Sequence, residues 1–267
     1  MLAPLPTSAR STAVHAIVIQ LSAADKGHLP ATLGRAIHAQ VMNWLSLGDS
    51  VLARSIHDSQ ESPISLSGLI GHRRKQGVRP DDHFYFRIAL LRGDLIDPLL
   101  DGLEQWGTQP ITLTQFPFVV RSIDSLPGTH PQVGSSDYRL LAKTPQGSGD
   151  ITLNFLSPTS FKQQQGIQPF PLPELVFASL QRRWNHFAPT ELHIPEMKWQ
   201  GVVSAFDLKT HAFKLEGGSE IGAQGWVRYR FSDPNQAAIA AILSHYAFFS
   251  GVGRKTSMGM GQTQLIR

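Results

Sequence analysis

At 267 residues, 41% of them hydrophobic, the chain can build one large domain or two of ordinary size, and its composition excludes global disorder. The 24 Lys and Arg against 20 Asp and Glu leave a net charge of +4, which admits an anionic partner without demanding one. The absence of cysteine excludes disulfides, thiolate zinc sites and cysteine nucleophiles together.

The N-terminal stretch MLAPLPTSARSTAVHAIVIQL has no basic region followed by a long apolar run, so we expect no signal peptide, no membrane span and a cytoplasmic location. Thr12 to Leu21 is β-rich, with His15, Ile17, Ile19 and Leu21 on one face and Val14, Ala16 and Val18 on the other, which implies a sheet covered on both sides. Pro30 is expected to open a helix whose stripe is Leu33, Ile37, Val41, Trp44 and Leu45. Asp49 or Ser50 can cap a shorter helix through Ile56. Strands are expected around Ile64–Ile70 and at His83–Leu91, the second alternating Phe84, Phe86, Ile88 and Leu90 with His83, Tyr85 and Arg87. A helix around Asp94–Trp106 and a strand around Ile111–Ser122 complete a β-α-β-β-α-β unit.

Asp124 to Ser136, rich in Ser, Pro, Gly and Thr, reads as a linker. The element order then recurs: a strand at Asp150–Leu156, a helix at Pro173–Phe187, a hairpin region from Trp199 to Phe231, a helix at Asn235–Phe249 and a strand at Gln264–Ile266. The expected fold class is α+β, two tandem ferredoxin-like (RRM-like) βαββαβ domains, residues 1–125 and 126–267, and such sheets commonly present RNA-binding surfaces.

Ser250 to Ile266, SGVGRKTSMGMGQTQLI, holds the densest motif. Gly251, Gly253, Gly259 and Gly261 make a G-x-G-x5-G-x-G loop with Arg254 and Lys255 inside it. Exposed backbone N–H groups beside two cations suit a phosphate chain. Nucleotide loops run from a strand into a helix, whereas here a helix precedes the glycines, so the expectation is a grip on a polymer backbone rather than an ATP site. The alternative is a C-cap glycine followed by a flexible turn. Arg228 and Arg230 alternate with Trp226, Tyr229 and Phe231, a mix of cations and aromatics that suits single-stranded RNA. Other basic groups are His72, Arg73, Arg74, Lys75 and Arg79 in one loop, and Arg182 and Arg183 on a helix.

Of eleven histidines, His57 closes the second helical segment and His38 sits at the edge of the first helix's apolar stripe, with Arg35 three residues earlier on the same side. By themselves these read more readily as ordinary surface or boundary imidazoles than as catalytic groups. His72, His83, His186, His193 and His211 lie in different elements without metal-ligand spacing, and Asp81–Asp82 reads as a turn after Pro80, so no metal and no other cofactor is expected.

Three stretches then carry a resemblance. GVGRKTSMGMG, LNFLSPTSFK (Leu153–Lys162), and LGRAIHAQVMNWL followed by ARSIHD and PISLSGL resemble signatures of the CRISPR-associated endoribonucleases of the RAMP superfamily, which cut precursor CRISPR RNA within its repeats. The resemblance implies metal-independent transesterification, in which a ribose 2′-OH attacks the adjacent phosphate to leave a 2′,3′-cyclic phosphate and a 5′-OH. By motif position it assigns His57 as the first choice of base, with His38 as a second acid/base or orienting group. Lys162, and more weakly Arg35, would stabilise developing negative charge; the lysine that some relatives carry just after the histidine is absent from Asp58 to Ile64. The implied partners are hairpin-containing CRISPR repeat RNA and a CRISPR effector complex. The competing readings are a non-catalytic RNA-binding RAMP subunit and a metal-dependent nuclease.

Overall fold

The computed structural model describes residues 12–144, 149–215 and 218–266. The first half contains β1 (Ala13–Ala23), α1 (Gly34–Gly48), α2 (Ser50–His57), β2 (Ile64–Leu66), β3 (Ile70–Gly71), β4 (His83–Leu90), α3 (Ile96–Trp106), β5 (Ile111–Leu113) and β6 (Phe116–Asp124). Its sheet runs β2-β4-β1-β6-β5, with β1 antiparallel to both neighbours. After β7 (Gly134–Asp137) and α4 (Tyr138–Leu141) come β8 (Asp150–Thr159), β9 (Phe161–Gln163), β10 (Gly166–Gln168), α5 (Pro173–Phe187), β11 (Val202–Leu215), β12 (Gly218–Arg230), α6 (Pro234–Ser250) and β13 (Thr263–Ile266). The second sheet runs β11-β12-β8-β13, and β9 and β10 form a separate hairpin. In both sheets the unit's first strand lies between its third and fourth, with the second outside the third. The tandem ferredoxin-like architecture is therefore present twice.

Local boundaries depart from expectation where tertiary contacts intervene. The first helix begins at Gly34 rather than at Pro30, whose carbonyl instead accepts a bond from Arg73 Nη1 at 2.9 Å. Asp49 caps α2 as expected, accepting from the Val51 and Leu52 amides. The strand expected over 64–70 is split at Ser67–Gly68, where Ser67 bridges in parallel to Gly259. The expected linker holds β7, which pairs with β1, so the crossing segment extends the first sheet.

Two cores result. On one side of the first sheet, Ile37, Val41, Trp44 and Leu45 of α1 pack on Ile17, Ile19 and Leu21, and Trp44 stacks on Phe86 with ring centroids 6.2 Å apart. On the other side, Val14, Ala16, Ala89 and Leu91 belong to the second half's core with Tyr138, Tyr246 and Phe249. This covering explains why Arg87, on the polar side of the alternation, is only 2% exposed. Its Nε and Nη2 donate to the Gln132 and Phe248 carbonyls at 2.9 and 2.6 Å, and its guanidinium lies 4.4 Å from the Phe248 ring centre. Burial lowers the Arg87 pKa to about 9, which still leaves it charged at neutral pH. Among the described residues no helix is long and apolar enough to cross a membrane.

Helices α1 and α3 meet backbone to backbone: a Cβ added at Gly102 would run into the Trp44 carbonyl, and one at Gly48 into the Pro98 carbonyl. Gly102→Ala should therefore destabilise the protein by about 1–3 kcal/mol despite a helix-propensity gain of about 1 kcal/mol. Gly68→Ala, where a Cβ meets nothing within 4 Å, should change stability by less than ~0.5 kcal/mol. Urea unfolding of the two variants checks this; equal midpoints would contradict it.

Candidate nucleic-acid interface and cleavage site

Helix α6 ends at Gly251, and the chain then makes a compact loop before β13. Gly251, Gly253, Gly259 and Gly261 have φ of 65, 80, 97 and 72°, a region that favours glycine. Close packing adds a second reason. A Cβ on Gly253 would strike the Ser160 carbonyl, and one on Gly261 the Val252 carbonyl. Many loop amides are used internally: Arg254 N donates to Ser160 O at 3.0 Å, Gly261 N to Pro158 O at 3.1 Å and Gly253 N to Ser179 Oγ at 3.1 Å. The segment is thus a folded loop sewn to the end of β8, not a flexible turn.

Its two cations also have a partner that sequence reading missed. Lys255 Nζ lies 3.0 Å and Arg254 Nη1 3.6 Å from the carboxylate of Glu220, which is 8% exposed and also receives the Ser160 hydroxyl. Burial pushes the Glu220 carboxyl up, but the Ser160 and Lys255 hydrogen bonds and the two positive charges outweigh it and leave its pKa below the ordinary value. Nothing in the local sequence around Glu220 marks it, because the contact joins the start of β12 to the loop after α6.

The loop's other side touches the first half. Gly259 bridges to Ser67, and Gly34, the first residue of α1, packs on the Met258 carbonyl with no room for a Cβ. Arg183 of α5 completes the clamp: its guanidinium donates to Thr256 Oγ1 at 2.6 Å and to the Ser62 carbonyl at 3.3 Å. Arg182 and Arg183 look equivalent in sequence. The helix turns them to opposite environments, with Arg182 exposed beside Glu61 at 3.4 Å and Arg183 5% exposed.

The same docking seats the start of α1, the helix that carries His38, against the loop. His38 is half-buried on α1, one turn from Gly34, and His57 is exposed at the end of α2. Burial lowers the His38 pKa, and the neighbouring charge of His57 lowers it further. Arg35 is exposed one turn before His38. Lys162 is exposed on β9, two residues past the Ser160 that anchors the loop. Arg228 and Arg230 lie farther off, opposite Thr152 and Asp150, about 20 Å along β8 from Pro158. Of the aromatics beside them, Tyr229 and Phe231 are core residues and only Trp226 shares the arginines' face. Among the described residues, no three His, Asp or Glu side chains gather as a metal-binding set.

Comparison with known proteins fits this geometry. The family model of the CRISPR-associated endoribonuclease Cas6 matches residues 153–263, a span that runs from β8 through the glycine loop into β13. A Cas6 product complex shares 27% identity with a TM-score of 0.76, covering 96% of this chain and all of its own. From β8 to β13 the chain is similar to the Cas6 family. A Thermus thermophilus Cas6 product complex has the same fold, with a TM-score of 0.81 at 22% identity over 96% of this chain and 100% of that one. A CRISPR-associated endoribonuclease Cas6 of Streptococcus thermophilus is 22% identical over 244 residues, 89% of this chain and 93% of its own length. Against that Cas6 background, the histidine pair, Arg183 and the Glu220 cluster are features of this chain's own structure.

Arg183→Met should loosen the loop while leaving the sheets in place. Amide hydrogen exchange across 251–261 is expected to speed up by about tenfold or more, as for the loss of a charged hydrogen bond worth about 1.5–3 kcal/mol. Unchanged protection in the loop would show that the clamp is unimportant.

Proposed function

We propose that this protein is a member of the Cas6 family and an RNA endonuclease of precursor CRISPR RNA processing, cutting within repeats by 2′-OH attack without a metal ion. The observation that supports it best is the placement of the half-buried His38 beside His57, on a helix whose N-terminus is docked to the glycine loop. Desolvation keeps the His38 imidazole neutral at pH 7, as a proton acceptor must be. His38 is accordingly assigned as the base and His57 as the acid, reversing the order suggested by motif position.

In the proposed reaction His38 takes the 2′-OH proton, and the 2′-oxygen forms a bond to phosphorus. The bond from phosphorus to the 5′-oxygen breaks, and the leaving oxygen receives a proton from His57. The products are a 2′,3′-cyclic phosphate and a 5′-OH, and charge balances without a metal. Arg35 on α1 and Lys162 on β9 are assigned to stabilise the phosphorane oxyanions. The glycine loop, with Arg254 and Lys255, and the strand carrying Arg228 and Arg230 are assigned to hold the RNA backbone. The division into a histidine-bearing half, 1–125, and a loop-bearing half, 126–267, belongs to the same proposal. So do a hairpin in the repeat, a cytoplasmic location and hand-over to an effector complex.

The test is cleavage of a labelled repeat RNA in EDTA, with a 2′-deoxy control at the cut site. Wild type should cut and the deoxy substrate resist. His38→Ala and His57→Ala should each lower the single-turnover rate by about 10²–10⁴ with RNA binding retained. A protein that binds the repeat but never cuts it would be an RNA carrier, and one that cuts only without chelator would be a metal nuclease.

The pH profile separates the two histidines. Because burial holds the His38 pKa below the ordinary imidazole value of about 6.5, the rate should hold as pH falls past that value and decline only at lower pH, as His38 becomes protonated. A decline beginning above 6.5 would contradict His38 as the base. The loop's role is checked by Arg254→Ala with Lys255→Ala, which should weaken RNA binding and flatten its dependence on salt.

A further inference from the structure

The second sheet has one face under α5 and α6 and one face open. Val227, Tyr229, Leu153 and Phe155 are fully buried on the helix side. Directly opposed residues of antiparallel strands share a face, so Asp207, Trp226, Asn154 and Gln264 make one row across β11, β12, β8 and β13 on the open side. Ala205, Arg228, Thr152 and Ile266 make the next row. Gln264, Arg228 and Ile266 are exposed, while Trp226, Asn154 and Thr152 are half-buried.

We propose that this open face is a binding track for single-stranded RNA, with Trp226 stacking a base, Asn154 and Gln264 reading its edge and Arg228 holding its phosphate. The proposal rests on the reading of RNA as the ligand and adds a site to it. Four observations argue for it. The indole is followed along the row by two side-chain amides, Asn154 and then Gln264, that each carry donors and an acceptor. In the adjacent row, Arg228 has the Thr152 hydroxyl at 3.3 Å as its hydrogen-bond partner, whereas the neighbouring Arg230 is committed to Asp150 through bonds of 2.8 and 3.0 Å.

The track is also directional. Asp207 closes the Trp226 row on the β11 side, so a phosphate is repelled there and drawn toward Arg228. Finally, the track is continuous with the candidate cleavage site. Pro158 O and Leu156 N bond to Gly261 and Gln262 at the end of the glycine loop, and Asn154 lies only about 13 Å farther along β8 than Pro158. An RNA strand leaving the loop reaches Trp226 within about two extended nucleotides. Stacking on one indole tolerates any base, and the amides add a preference.

The experiment uses the indole as its own reporter. The chain has five tryptophans, of which Trp44, Trp184 and Trp199 are buried, and Trp106 lies at the end of α3 in the other half. Hexaadenylate should quench the fluorescence of the wild-type protein, and the quench should vanish in Trp226→Phe. Trp226→Ala should weaken binding of that oligonucleotide by roughly five- to a hundredfold, and Asn154→Ala by less. A duplex RNA of the same length should quench little, because its bases are already stacked.

An undiminished quench in Trp226→Phe, unchanged affinity in Trp226→Ala, or equal quenching by the duplex would each overturn the track. Cleavage of the repeat by the same wild-type preparation is scored separately. Trp226-dependent quenching without cleavage sustains the track and sinks the nuclease reading, and cleavage without such quenching does the reverse.

Discussion

Everything around the proposed cleavage site depends on one backbone-on-backbone contact, the seating of the 251–261 loop against the first half. Gly259 lies along Ser67, and the Met258 carbonyl fills the place where a side chain of residue 34 would be. Such an approach is closed to residues with a Cβ, which explains why glycine stands on both sides of it. The contact sets the height of the loop over the start of α1, and α1 carries Arg35 and His38. A segment near the end of the chain thereby becomes one wall of a site whose proposed acid and base lie near the beginning.

Charges that are buried around this contact are arranged with care for their desolvation. Glu220 would be costly alone, but it is met by Ser160, Lys255 and Arg254. Among the described residues, Arg183 and Arg87 have no carboxylate at bonding distance; carbonyls and a hydroxyl from other elements accept from Arg87 Nε and Nη2 and from Arg183 Nη1 and Nη2, while Arg183 Nε is buried without a partner. Each of these ions therefore reports on assembly. Removing one partner leaves a buried charge or a buried carbonyl unpaired, a penalty of a few kcal/mol by the usual scale. Arg87 ties β4 to α6, and Arg183 ties α5 to the segment after α2 and to the glycine loop. Both bridge the two halves near the places where the loop docks.

The Glu220 cluster also bears on how the loop meets RNA. Arg254 and Lys255 are held by an internal carboxylate, so a phosphate approaching them meets cations that are oriented and partly neutralised. On the open face of the second sheet Arg228 donates to the Thr152 hydroxyl, whereas Arg230 is committed to Asp150. In the proposed scheme the loop fixes geometry at the cut and the sheet face supplies reach along the strand.

Periodicity made much of the architecture legible. The alternation in Thr12–Leu21, the stripe Ile37–Val41–Trp44–Leu45 and the Pro173–Phe187 helix are local patterns, and local patterns survive in the fold because each face that they define meets one core. The four glycines announced an unusual backbone, and their φ values confirm one. Other features required the tertiary structure. Sequence shows Arg182 and Arg183 as a pair and cannot say which one the helix turns inward. It shows Arg87 on a polar face, and only the arrival of α6 makes that face an interior. It offers no sign of Glu220, since pairing with Lys255 joins residues 35 positions apart through two elements of the second half that meet only once that half has folded. Sequence by itself determined the elements, their tandem order and the residue types available for chemistry. Which of those residues share a site, and with what charge around them, was decided by long-range packing, because proximity across a fold has no period along a chain.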